Sequence, residues 1–415
     1  MTDVRLRDDP DFRRYWAARV FSLTGSMVTA IVLPVLVYRL SGSTVLTAAV
    51  TALEAAPYLL TGLFAGALAD RWDRRRVMVT ADLVNAVLIG SVPLAHLLGV
   101  LSVVQVLVIA FVVQAVYTFF DGANFGALPV LVGRARVAQA NSAVWSASSL
   151  IELFVPPVAG LSLAILNPAE LLVLDALSFV ASALAVRGIV RAMSERRDGQ
   201  PPLRPRVVLA DIAEGIRYLV RHPGVRTMTI VGSLQSFAGG GFMALMVVWC
   251  DRVLDVGTSG LRFGLVWGTW GIGGLIAALA LPRLLKRWPP AAITLYALPL
   301  SALIGVLAPL SPDWVVAAIA LLCWGSAYVL VIVNAVSYRQ QVTPEQLLGR
   351  VNTAGRMLSW AVGWTLGSMV AGLLGNQLGI RAAMVLVGTA SFVGVAVAWT
   401  SPLRRIAATP DPAAT

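Results

Sequence analysis

GALADRWDRRRV, Gly66 to Val77, interrupts two long apolar runs with Trp72, the acids Asp70 and Asp73, and the bases Arg71, Arg74, Arg75 and Arg76. A stretch this polar and this short is a hairpin loop between two apolar helices, which it forces to be antiparallel neighbours. Gly62 and Gly66 stand four apart before it, a spacing that lets another backbone approach closely. Asp70 lies where the next helix is about to begin, so its carboxylate is expected to cap exposed N–H groups there.

The rest of the 415-residue chain repeats this alternation. It is 58% hydrophobic and 13% charged, with a mean hydropathy of +0.80, against about 25% charged residues in soluble domains. A bilayer core about 30 Å thick takes roughly 20 apolar residues per helical crossing, and such runs fill most of the sequence. Spans in lipid satisfy their backbone internally. The continuous runs lack the alternating pattern of a membrane barrel. The fold class predicted is an all-α membrane protein with twelve transmembrane helices, near 15–39, 45–68, 77–98, 102–125, 142–165, 170–191, 227–250, 261–284, 291–310, 314–336, 354–376 and 381–400. MTDVRLRDDPDFRRYW, residues 1–16, has no small-residue cleavage site and reads as a retained end.

Placing both termini inside puts 27 of the 32 basic residues on the inner side, as the positive-inside rule requires. The chain is therefore expected in the cell membrane with both termini cytoplasmic. The arginines are spread over many short loops, which fits anionic membrane lipids and argues against nucleic acid.

Domain organisation follows from one long polar interruption. Residues 1–192 form a first six-helix half and 223–403 a second, joined by a cytoplasmic linker at 193–222, with a tail at 404–415. Within the linker, DIAEGIRYLVRHPG places Ile212, Ile216 and Leu219 on one helix face and Arg217 and Arg221 on the other. The halves echo each other. RARVAQAN (Arg134–Asn141) leads to PPVAG, and GRVNTAGR (Gly349–Arg356) leads to SMVAG, with the Arg-Val pairs 214 residues apart. Two parallel six-helix repeats are one way to build an alternating-access transporter.

The pattern Gly66-x-x-x-Asp70-Arg71-x-x-Arg74-Arg75 between spans two and three resembles the signature of the major facilitator superfamily. FRRYWAARVFSLTGS, LPVLVYRLSGS, GIRYLVRHPGVR and GRVN resemble its drug and siderophore exporter branch, and the likeness runs over roughly residues 12–400. It implies a cavity lined by spans 1, 4, 7 and 10 and export driven by a proton gradient, with no other cofactor. Gly62, Gly66, Asp70, Arg71, Arg74 and Arg75, with Asp82 two turns on, are then expected to form a gate held by contacts with the second half. The loop LPRLLKRW (Leu281–Trp288) lacks the Asp-Arg core, so the gate is expected from the first half alone. Pro157 and Gly160 match the end of an antiporter bend motif in span five. Gly25 is followed by Ser26 where many relatives carry an acid.

An ionisable group inside a membrane costs about 2.5–3.5 kcal/mol on insertion scales and is a functional candidate. Glu54, Asp121 and Glu152 are the candidate proton carriers, while Asp175 is expected near water at the outer end of span six. Gln114, Tyr117, Asp121 and Asn124 recur at helical spacing along span four. With Arg19, Gln235, Trp324, Tyr328 and Asn334 they are candidates to line the cavity for an amphipathic small molecule. No phosphate loop is present, and His96 and His222 have no metal or nucleophile partner at a recognisable spacing. The reading is a monomeric secondary transporter, not an enzyme, whose partners are a small-molecule substrate, protons and lipid. An importer of the same fold and a membrane-embedded enzyme or scaffold are the alternatives.

Overall fold

The structure, a computed structural model, describes residues 6–62, 72–194 and 205–404, which are helical with no strand among them. The first-half helices are α1 (Pro10–Ser41), α2 (Thr44–Ala55), α3 (Arg74–Leu97), α4 (Val103–Val132), α5 (Val137–Ser162) and α6 (Pro168–Arg187). A linker helix spans Pro205–Arg221. The second half holds α7 (Pro223–Arg252), α8 (Gly260–Leu285), α9 (Pro290–Leu307), α10 (Trp314–Val342), α11 (Leu347–Leu378) and α12 (Ile380–Thr400). Eleven helices are long and apolar enough to cross a membrane, and the shorter apolar Thr44–Leu60 supplies the twelfth.

Local chemistry sets the ends. Asp9 caps α1 through the Asp11 and Phe12 amides, and Gly42, at φ 62°, turns the chain out of it. Ser102 caps α4, and Asn167 with Glu170 forms a capping box on α6. The cap of α3 is Asp73, whose carboxylate accepts from the Arg76 amide at 2.9 Å. The expectation placed it at Asp70, but α3 begins at Arg74, directly behind Asp73. The second span breaks at Ala56 and resumes over Pro57–Leu60, where proline has no N–H to give. In α11 a π-helical turn, Met357–Val362, follows Arg356 directly.

In the first half α1 packs on α5 and α6, and α3 packs on α4 and α6. In the second, α8 packs on α10, α7 on α11 and α12, and α9 on α10 and α12. Two seams, α5–α8 and α2–α11, join the halves. Both depend on absent side chains. A Cβ on Gly160 would sit 2.6 Å from the Gly260 carbonyl oxygen, and one on Gly264 would sit 2.6 Å from Pro157 Cα. A Cβ on Gly372 would meet Ala48 Cβ at 2.6 Å. The linker helix lies on the end of α10 and the start of α11: Tyr218 donates to the Val342 carbonyl of α10 at 2.9 Å, and Arg350 of α11 pairs with Glu214. Leu219 and Ile216 pack into the second half, while Arg217 and Arg221 are exposed.

The apolar core is asymmetric along the bundle. At the end away from the arginine-rich loops, one cluster runs through both halves, from Val32 and Leu36 to Trp249, Phe263 and Met384. At the arginine-rich end each half has its own cluster. Phe12, Met78, Phe120 and Leu131 form one; Val225, Leu295, Val331 and Val351 form the other. The halves are thus fused at one end and separated at the other.

Candidate functional site

Two sets of polar contacts cross between the halves, one near each end. At the fused end Tyr38 donates to Asp251 at 2.6 Å and accepts from Arg252 Nε at 2.9 Å. Arg252 also reaches the Gly42 carbonyl at 3.0 Å, and Arg39 Nε donates to Thr258 at 3.0 Å. These contacts hold α1 to the end of α7 and to the loop after it.

Toward the arginine-rich end one tie among the described residues bridges the separated clusters. Tyr58, in the short turn after α2, donates its hydroxyl to Asp121 of α4 at 2.6 Å. Arg356 of α11 donates to the Tyr58 hydroxyl at 2.7 Å and lies 3.5 Å from the Asp121 carboxylate. Its guanidinium stacks 4.8 Å from the Tyr58 ring centroid, and Trp360, on the π-helical turn, packs edge-on against the other side of Tyr58 at 5.2 Å.

Part of the expected gate lies within the described residues. Gly66, Asp70 and Arg71 lie outside the described residues. Gly62 is described, with a space above it filled by the Tyr58 ring. Arg74 donates to the Gly126 carbonyl at 2.9 Å, entering a slot that exists because residue 126 has no side chain. Arg75 donates to the Arg191 carbonyl at 2.6 Å and the Val190 carbonyl at 3.3 Å. These acceptors all belong to the first half. Arg191 in turn binds Asp9 and reaches Asp11 at 3.2 Å, and Asp11 accepts from the Val190 amide at 3.0 Å. The Arg191 guanidinium holds the Asp9 carboxyl below the usual aspartate range, and the Asp9 carboxylate raises Arg191 in return. The described part of the loop therefore fastens the first half to itself. Among the described residues, the tie between the halves at this end is a second-half arginine on a first-half carboxylate.

Asp82 does not join the arginine loop. It is 1% exposed, between α3 and α6, and Oδ2 has no hydrogen-bond partner. Burial also corrects the reading of Asp175. It lies seven residues into α6, 1% exposed, and accepts from Thr29 and from Ser178 at 3.1 Å. Gly25 makes room for it: a Cβ there would overlap Asp175 and Ser178. The acid beside Gly25 thus comes from α6 and not from the next residue of α1.

The other candidates separate by surroundings. Glu54 is half-buried on α2, the helix that packs on α7 and α11. Glu152 accepts from Ser148 at 3.4 Å and stands against Gly271 of α8, on the other seam. Asp121 is in the tie. Pro157 and Gly160 form the α5 side of the α5–α8 seam. Gln114 and Tyr117 are half-buried on α4, and Tyr117 stacks on Phe120 at 5.8 Å. Asn124 accepts from Tyr15 at 2.6 Å. Arg19, 7% exposed, lies 5.4 Å from the Phe120 ring centroid, with Nε and Nη1 unpartnered.

Four second-half candidates are buried inside their own half. Gln235 donates to Ser301 of α9 and accepts from Ser391 of α12 at 3.0 Å. Trp324 packs against Phe242 and Trp270, with centroids 4.8 Å away in each case, and lies over Gly305. Tyr328 packs against Trp270 and Gly239. Asn334 donates back to the Leu330 carbonyl at 2.7 Å. Gln235, Trp324 and Tyr328 thus contact neighbouring helices, and Asn334 bonds within its own.

Tyr58 and Arg356 were not singled out by sequence reading. In the sequence Arg356 is one of the inner-side bases and the end of the repeated element before span eleven. Its partners stand 298 and 235 positions away, and no local pattern connects them.

Comparison with known proteins follows this geometry. Residues 6–414 match the family described as transmembrane secretion effector. The multidrug efflux pump Tap of Mycolicibacterium fortuitum is 29% identical over 92% of this chain and 93% of its own. The enterobactin exporter EntS of Shigella boydii is 25% identical over 94% of this chain and 89% of its own. Among solved structures, nucleoside transporter NupG superposes with a TM-score of 0.73 at 13% identity, covering 94% of this chain and 98% of that one. A bacterial homologue of the iron transporter ferroportin, in an inward-facing state, gives 0.73 at 14%, covering 96% and 99%. At those identities the likeness concerns the fold.

Proposed function

The chain belongs to the transmembrane secretion effector family of major facilitator transporters, and from that premise we propose that it exports an amphipathic small molecule, a drug, antibiotic or siderophore, in exchange for protons. It is a multi-pass membrane transporter and not an enzyme. In the proposed arrangement it lies in the cytoplasmic membrane with both termini and the arginine-rich end in the cytoplasm, following the positive-inside rule. Export as the direction is supported by the two efflux relatives.

The observation that carries the reading is the asymmetry of the seam. One apolar core continues through both halves at one end, and two separate cores lie at the other. A bundle built this way opens toward the arginine-rich end, where substrate enters from the cytoplasm in the proposed orientation. Release requires the opposite arrangement, with the Tyr38–Asp251–Arg252 contacts broken. Each end is held by a few polar ties, so a shift between the two shapes requires a few kcal/mol, within reach of a gradient or of substrate binding.

The proposal is tested by ethidium, macrolide and catecholate siderophore accumulation in cells with and without the protein, each with and without a protonophore. The expected result is lower accumulation of at least one compound, abolished by the protonophore. Unchanged accumulation across the panel would overturn export. Uptake raised by the protein would establish import, and efflux indifferent to the protonophore would remove the proton from the scheme.

A further inference from the structure

Inside the first half lies a polar cluster that the sequence reading divided among other roles. α1 contributes Arg19, Ser22 and Thr29, α3 contributes Asp82 and Asn85, and α6 contributes Asp175, Ser178 and Ser182. All but Ser178 are buried, in a region that the apolar runs place at membrane depth. Five of their polar atoms have no hydrogen-bond partner: Arg19 Nε and Nη1, Asp82 Oδ2, Asn85 Oδ1 and Ser182 Oγ. Buried polar atoms are otherwise nearly always paired, so so many together mark a place where something is bound or exchanged.

Charge counting says what. The cluster contains one guanidinium and two carboxyls, and no salt bridge joins Arg19 to either aspartate. A guanidinium keeps its proton. With both aspartates ionised the cluster carries an uncompensated negative charge out of water, which is costly. With one aspartate protonated it is neutral. The surrounding charged and titratable groups do not change this count. On α4, Asp121 is engaged with Tyr58 and Arg356, and Tyr117, a neutral phenol, stacks on Phe120 and hydrogen-bonds Arg19. On α3, Arg74 and Arg75 donate to backbone carbonyls of their own half. On α5, Glu152 faces Gly271 across the seam. On α1, Tyr15 is bonded to Asn124.

We propose that Asp82 and Asp175 hold one exchangeable proton inside the first half, with Arg19 as the fixed counter-charge. Thr29 already donates to the Asp175 carboxylate, and the Ser178 hydroxyl is shared between the Asp175 backbone carbonyl at 2.8 Å and the carboxylate at 3.1 Å, so the ionised form is hydrogen-bonded there. Asp82, with Oδ2 unpartnered, is the position at which the proton resides in this conformation. The site is distinct from Glu54, Asp121 and Glu152, which stand on or beside the seam. The assignment rests on the antiport reading for what the proton drives, and the proton binding itself is measurable without substrate.

The test is infrared difference spectroscopy of the purified full-length protein in lipid nanodiscs, between acid and alkaline pH. The wild type should show the carbonyl band of a buried, titrating carboxylic acid, with a component lost in Asp82→Asn and in Asp175→Asn. Ser178→Ala removes one donor from Asp175 and should shift the midpoint of that component without abolishing it, which keeps the test open if an asparagine variant does not fold. Spectra of both asparagine variants identical to the wild type would overturn the proposal, as would a wild type with no titrating component. Ethidium efflux separates this outcome from that of the antiport reading. Wild-type, protonophore-sensitive efflux by an Asp82→Asn, Asp175→Asn double variant would sink the site while antiport stands. Efflux indifferent to the protonophore, with the infrared component present, would sink antiport while the site stands.

Discussion

Removing the Arg356 guanidinium leaves Tyr58 bonded to Asp121 but cuts the first half from the second where their cores have already parted. The tie is partly exposed, with the Arg356 side chain 56% accessible, so its net strength is about 1 kcal/mol. That is roughly a fivefold change in the ratio of two conformations. Arg356→Ala is expected to slow ethidium efflux several-fold, with Arg356→Lys intermediate because a lysine keeps the charge without the fork. Cysteine accessibility at the arginine-rich end, measured alongside efflux, should rise in the alanine variant; unaltered accessibility would remove the tie from the cycle. Asp9 makes a second prediction. Its folded-state value is depressed by Arg191, so its contribution to stability is present above the ordinary aspartate value of about 4 and is lost as pH falls through the depressed value. The thermal midpoint of Asp9→Asn should lie below wild type at neutral pH and converge with it in acid. The sequence marked Asp121 and Arg19 as costly groups in lipid, since that follows from residue type and depth alone. It left Arg356 as one base among many, because its role comes from where α11 places it.

The helices themselves were legible to within several residues. Apolar run length against bilayer thickness predicts them, and caps such as Asp9, Ser102 and Asn167 end them. The two deviations are local, the break of α2 at Ala56 and the π-helical turn of α11 after Arg356. Each lies beside one partner of the inter-half tie. Packing between helices is set by missing side chains. Gly264→Ala would drive a Cβ against the backbone of Pro156 and Pro157, and backbone cannot move aside as a flexible side chain can. The expected cost is about 1–3 kcal/mol, seen as a lower melting temperature in detergent together with reduced efflux. A normal melting temperature would show that the α5–α8 seam is looser than drawn. Which helix the glycines of α8 meet depends on the other half.

On the scale of the whole molecule, the fused end and the parted end are what alternate in the proposed cycle. Arg39 and Thr258 touch across the fused end. In a Cys323→Ser background, where only buried Cys250 remains, Arg39→Cys with Thr258→Cys should cross-link readily. Oxidation should stop efflux and reduction should restore it. Full efflux by the cross-linked protein would mean that this end never opens. The first half should move as one body, because Arg74, Arg75, Arg191, Asp9 and Asp11 join α1, α3, α4 and the end of α6.

Twelve helices, their alternating direction and the crowding of arginine at one end were determined by sequence alone. Each depends on a local balance between side chains and lipid that a run of about twenty residues carries in itself. The internal echo between the halves was equally local, a matter of matching short words. Which polar groups meet was decided only by the tertiary structure. Gln235 and Asn334 look alike as candidates to line a cavity, yet Gln235 clamps three helices and Asn334 bonds back along its own. Asp175 and Gly25 stand 150 positions apart, yet one occupies the space the other leaves. Such pairings depend on how the helices rotate and approach one another, and that is settled by the summed packing of all of them.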